Sequence, residues 1–95
     1  TDLLFKAILS LKNEEECYNF FEDLCTVTEL KAMSQRIVVA KMLTDKKVYS
    51  DIVLKTGAST ATISRVNRSL IYGSDGYEMV FGRIFDKKED KAEDK

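Results

Sequence analysis

Between Tyr49 and Leu70 the chain reads Tyr49-Ser-Asp-Ile-Val-Leu-Lys-Thr-Gly-Ala-Ser-Thr-Ala-Thr-Ile-Ser-Arg-Val-Asn-Arg-Ser-Leu70. Its reactive groups are hydroxyls and cations. Ser59, Thr60, Thr62 and Ser64 can donate to and accept from polar edges, while Ala61 and the threonine methyls can meet another methyl group. Lys55, Arg65 and Arg68 carry positive charge on long stems, which suits phosphate oxygens. Nothing in the chain suits catalysis. Histidine is absent, which removes the commonest general base and the commonest metal ligand. Cys17 and Cys25 would lie about 12 Å apart along one helix, too far for an internal disulfide, and two thiols without histidine make a poor zinc set. They are expected to be small buried hydrophobes in a reducing compartment. No nucleophile–base pair, paired acids in an apolar setting, metal set or phosphate loop is visible. No catalytic residue and no metal site is therefore expected.

Placing the hydroxyls and cations together takes two short helices and a tight turn. Ser50 suits the N-cap of the first helix, and Asp51 follows where the helix dipole favours an acid. Gly57 can take the left-handed conformation that ends a helix. Ser59 or Thr60 then caps a second helix, in which Ile63, Val66 and Leu70 share one face by their three- and four-residue spacing. The free face carries Thr60, Ala61, Thr62, Ser64, Arg65 and Arg68. This is a helix-turn-helix pattern over residues 50–69. Its chemistry is that of binding double-stranded DNA. Ser59, Thr60 and the helix start suit one phosphate, and Ser50 suits another. Lys46, Lys47, Lys55 and Arg68 are long enough to reach further phosphates. Thr60, Ala61, Thr62 and Ser64 would meet base edges. Because these are short side chains, water-mediated contacts and DNA deformability are expected to supply part of the specificity.

The charge distribution agrees. The 95 residues sum to −1, yet residues 1–27 carry a net −4, residues 28–70 a net +5 and residues 71–95 a net −2. Phosphates feel local charge over a Debye length of about 8–10 Å, so the positive segment counts more than the total. The length allows one domain, assigned to residues 1–87, with the almost wholly charged 88–95 as a tail. The chain has no proline, and three of its four glycines follow residue 70. Together with the helical periodicity, this predicts an all-α fold. No run approaches the ~20 apolar residues of a membrane span, and the start lacks a signal-peptide pattern, so a cytoplasmic protein is expected.

Four further helices are predicted. The first runs from an Asp2 cap to about Leu11, with Leu3, Leu4, Ala7, Ile8 and Leu11 in one stripe. The second starts at an Asn13 cap and buries Cys17, Phe20, Phe21, Leu24 and Cys25. The third runs from a Thr28 cap to about Leu43 and is apolar around most of its circumference, which makes it the spine. The last, capped by Ser74 or Asp75, carries Tyr77, Val80, Phe81, Ile84 and Phe85. The first helix is too short to stand alone in water, so it must dock on its own chain or on a second copy.

Thr60-Ala-Thr-Ile-Ser-Arg65, behind Gly57-Ala58 and followed by Asn67-Arg-Ser-Leu70, resembles the recognition-helix region of the Trp repressor superfamily. Met33-Ser-Gln-Arg36 matches the arginine-bearing stretch of its third helix. The run Lys55–Gly73 with Asp75-Gly-Tyr77 resembles its YerC/YecD-type branch. The resemblance covers roughly residues 3–87. It implies a six-helix fold, an intertwined homodimer, and transcriptional regulation by repression, with two recognition helices in successive major grooves. It brings Ser50, Lys55, Ser59, Thr60, Ala61, Thr62, Ser64, Arg65 and Arg68 to DNA. It also implies a ligand pocket at Arg36, Arg65 and Ser69, with Thr26 at a further matching position. The sequence departs from the family there. Val66 stands where a small glycine makes room for the indole, and Asp23 and Cys25 stand where leucines line the pocket. No cofactor is expected, and tryptophan is disfavoured as co-repressor by Val66. Another small anion between Arg36 and Arg65 is the alternative ligand. The rival to DNA binding is a dimeric helical protein-interaction module.

Overall fold

A computed structural model describes residues 1–86. They form six α-helices in the order α1 (Asp2–Leu9), α2 (Glu14–Leu24), α3 (Val27–Thr44), α4 (Tyr49–Thr56), α5 (Thr60–Tyr72) and α6 (Gly76–Phe81), and α6 runs on into a π-helical turn, Gly82–Asp86. There is no strand among the described residues. The fold is all-α, as its periodicity and lack of proline predict. The tail assigned to 88–95 lies outside the described residues. Among those described, no helix is long and apolar enough to cross a membrane. The contacts fall into two compact units, Thr1–Met33 and the chain from Ser34 onward.

In the first unit, local hydrogen bonds set the helix boundaries, and several differ from the periodicity. Asp2 is the first helical residue of α1 rather than its cap, since Thr1 precedes it and no side chain caps the start. The helix ends at Leu9, short of Leu11. The N–H and the hydroxyl of Ser10 both turn back to the carbonyl of Ala7, at 3.1 and 2.7 Å. Asn13 does cap α2, accepting from the Glu16 N–H at 2.9 Å. At α3 the cap is Thr26, not Thr28. The Thr26 hydroxyl accepts from the Glu29 N–H at 3.0 Å, and the Glu29 carboxylate accepts from the Thr26 N–H at 2.8 Å. This reciprocal pair is a capping box, and the Thr-x-x-Glu spacing outweighs the nearer Thr28.

No residue of α1 or α2 is buried. Cys17 is exposed and Cys25 half-buried, so the expected burial of Cys17 is not found within the chain. The rest of the predicted α2 face is likewise not buried within the chain. Phe20 and Phe21 meet edge to face at 5.6 Å, but both remain half-buried.

The second unit holds the buried core. Val39 and Ala40 from α3, Ile52 from α4, Ala58 from the turn, Ile63 and Val66 from α5, and Phe81 from α6 form one cluster, flanked by Met42, Leu43, Leu70 and Tyr77. The predicted spine face is therefore narrow: Ile37 and Val38 are exposed. Phe81 stacks on Tyr77 at 6.0 Å and meets Phe85 at 5.6 Å. Lys41 sits 4.4 Å over the Phe85 ring, which fastens the π-helical turn to α3. Asp75 holds the N-cap position of α6 with φ 63° and makes no side-chain cap bond.

Candidate nucleic-acid interface

The predicted helix-turn-helix is α4, a three-residue turn, and α5. Gly57 ends α4 in the left-handed conformation, φ 74°, with its N–H on the Val53 carbonyl at 2.8 Å. Only glycine takes this conformation without strain, so Gly57→Ala is expected to cost about 1–2 kcal/mol in urea denaturation. Two residues not singled out by the sequence complete the turn. The Thr56 hydroxyl donates to the Ile52 carbonyl at 2.7 Å and accepts from the Ala58 N–H at 3.0 Å. The Gln35 side-chain amide, on α3, donates to the Thr56 carbonyl at 3.1 Å. A threonine directly before a helix-ending glycine signals such back-bonding. The Gln35 contact crosses 21 positions, and no sequence pattern announces it.

Ser59 caps α5. Its Oγ accepts from the Thr62 N–H and donates to the Thr62 hydroxyl, both at 3.1 Å. The first turn of α5 thus has its side-chain partner in place. At α4 the expectation is corrected. Val48 is the N-cap, and its carbonyl accepts from the Ile52 N–H at 3.2 Å, so Ser50 sits within the first turn and does not cap. No side chain caps this helix, because a valine stands at the cap position.

The two faces of α5 separate as the spacing predicts. Ile63 and Val66 are buried, and Leu70 is half-buried. Ser59, Thr60, Ala61, Ser64, Arg65 and Arg68 are exposed, as are Ser50 and Lys55 on α4. Thr62 is half-buried, its hydroxyl engaged with Ser59. The α4–α5 unit therefore presents hydroxyls, one methyl and cations on one helix while the opposite stripe holds it to the core. That is the donor, acceptor and charge set that phosphates and base edges require.

The sequence model of the Trp repressor protein family matches residues 1–84. The chain belongs to the Trp repressor family. It is 57% identical over 83 residues to the uncharacterized protein YerC of Bacillus subtilis strain 168, covering 87% of this chain and 80% of that one. A solved structure of a TrpR-like protein from Eubacterium eligens is 63% identical, with a TM-score of 0.86 over 87% of this chain and 86% of that one. A candidate Trp repressor from Staphylococcus aureus is 57% identical, with a TM-score of 0.85 over 87% and 83% of the two chains. The YerC-type resemblance and the TrpR-like fold therefore hold. Trp repressor family proteins are regulators and not enzymes.

Of the ligand residues that the resemblance implies, Ser69 borders one cavity that includes neither arginine. This cavity of about 470 Å³ is lined by Ile37, Ser69, Gly73, Ser74, Gly76, Tyr77, Met79, Val80 and Phe81. Arg36 is half-buried on α3, and Arg65 is exposed on α5. Thr26 is spent on the α3 capping box. Val66 is 2% exposed and belongs to the core cluster. Among the described residues, no group of three or more cysteines and acids comes together as metal ligands.

Proposed function

We propose that this Trp repressor family protein is a sequence-specific regulator of transcription, acting as a repressor. It binds double-stranded DNA as a homodimer through the α4–α5 helix-turn-helix. One observation carries the reading: α5 buries Ile63 and Val66 and leaves Thr60, Ala61, Ser64, Arg65 and Arg68 exposed on a capped helix. The net +5 over residues 28–70 supports it. So does α5's place as the second helix of a helix-turn-helix, the one that enters a major groove. Support for the homodimer comes from α1, where Leu3, Phe5 and Leu9 are 77, 55 and 85% exposed. Apolar surface of that extent on a short helix calls for cover by a second copy.

Selection of bound duplexes from random DNA, followed by a mobility shift at ~50 mM salt, tests this. A retarded complex on the selected sequence is the expected result, with light scattering giving twice the chain's 10.8 kDa. No shift on any duplex would sink DNA binding, and a monomer at micromolar concentration would sink the dimer.

Tryptophan is not the co-repressor in this reading. Val66 belongs to the buried core, and the resemblance implies a glycine at that position in tryptophan-binding members. A ligand at a hundred times its Kd would stabilise the fold by about 2.7 kcal/mol. Tryptophan at millimolar concentration is accordingly expected to leave the melting temperature unchanged, and a clear rise would show that Val66 does not block the site.

A further inference from the structure

We propose that Lys46, in the turn between α3 and α4, is a phosphate-contacting residue whose strained backbone is retained for its charge. This rests on the DNA-binding reading above and deepens it: the sequence offers Lys46 only as long enough to reach a phosphate, and its backbone torsion singles it out. The end of α3 is closed by two backbone bonds, from the Lys47 N–H to the Met42 carbonyl and from the Lys46 N–H to the Leu43 carbonyl, each 3.0 Å. That double closure places the residue after the helix in the left-handed region, and Lys46 has φ 67°. Three residues of the described chain have positive φ: Lys46, Gly57 and Asp75. Gly57 has no Cβ to clash. Asp75 has the short polar side chain that tolerates this region. Lysine has neither property. The chain thus uses glycine to close α4 and a lysine to close α3, where glycine would be free of strain.

Strain of this kind persists where a side chain is needed. The charge environment says for what. Asp45, the neighbouring acid, is already bonded to Lys41 at 3.1 Å. Its charge is engaged there, which leaves Lys46 and Lys47 as a positive pair, both exposed. The turn leads into Val48, the N-cap of α4, so the pair stands at the mouth of the helix-turn-helix, close in sequence to the exposed Ser50. A lysine at a helix C-terminus can also serve the helix dipole, a purely structural use. The two uses predict opposite outcomes for one substitution.

The test measures urea midpoint and DNA affinity together, on the selected duplex, from about 50 to 200 mM salt. Lys46→Gly is expected to raise the midpoint and to weaken binding. The slope of log affinity against log salt should become shallower by about 0.9 for each Lys46 on a phosphate. Lys46→Gln keeps the strain and removes the charge. It should lose the same slope without gaining stability, while Lys46→Arg keeps the wild-type slope. Base preference should not change in any of them, since a phosphate contact carries no sequence information. A Lys46→Gly protein that binds with wild-type affinity and slope overturns the proposal alone. A lowered midpoint for Lys46→Gly overturns it too, in favour of the dipole. If the wild type binds no duplex, the DNA reading fails and this proposal fails with it.

Discussion

Ile63→Ala is expected to destabilise the protein by about 2–5 kcal/mol at fixed chain concentration, read as a fall in urea midpoint with little change in slope. Ile63 is fully buried on α5, packed in one cluster with residues of α3, α4, α6 and the turn. Truncation removes three carbons from a site bounded by helices that are themselves held by caps and turn bonds, so the space left cannot close completely. A small domain has on the order of 5–15 kcal/mol in all, so this single change takes a large share. Leu54 is the control. It lies on α4 and is 86% exposed. Leu54→Ala should stay within about 0.5 kcal/mol of wild type. Equal losses at the two positions would mean that the helix-turn-helix does not pack through the Ile63 face. The exposure of Thr60, Ala61, Ser64, Arg65 and Arg68 would then lose its basis.

The helix-turn-helix was the most legible part of the sequence. The 3-4 spacing of Ile63, Val66 and Leu70 determines which face of α5 is buried. Gly57 and Ser59 mark the turn because each has a conformational or hydrogen-bonding role that few residues can fill. Helix starts were less legible, because several hydroxyls compete within a few residues. Thr26 and Thr28 are both good caps by type, and only the reciprocal partner Glu29 decides between them. At α4 the best capping residue, Ser50, is passed over. The helix begins at Tyr49 behind Val48, and Ser50 is left free for another use. Least legible were features that depend on backbone torsion or distant pairing. Lys46 in the left-handed region and Gln35 on the Thr56 carbonyl have no local pattern. The implied ligand set was a different matter. Arg36, Arg65 and Ser69 came from resemblance, and the position between them, Val66, follows the packing rule of its own helix.

Raising salt from about 50 to 200 mM is expected to weaken DNA binding by roughly 10³–10⁵-fold. That range belongs to a protein that releases counterions from about six to ten phosphates. The surface can supply them. Lys46, Lys47, Lys55, Arg65 and Arg68 are all exposed around the α4–α5 pair, and three to five phosphates per chain become about six to ten in a homodimer. Hydroxyls and helix-start N–H groups add position without adding to the slope. Arg68→Ala should therefore weaken binding on every sequence alike and make the salt slope shallower by about 0.9 per phosphate lost. A change at Ala61 or Ser64 should alter base preference and leave the slope as it was. The contrast also separates DNA from a protein partner. On α4, Tyr49, Val53 and Leu54 are 39, 37 and 86% exposed, an apolar surface on which a protein could dock. Docking there would be driven by apolar burial, which salt screens little. A flat salt response, with Arg68→Ala behaving as wild type, would move the binding surface from the charged face of α5 to the apolar face of α4.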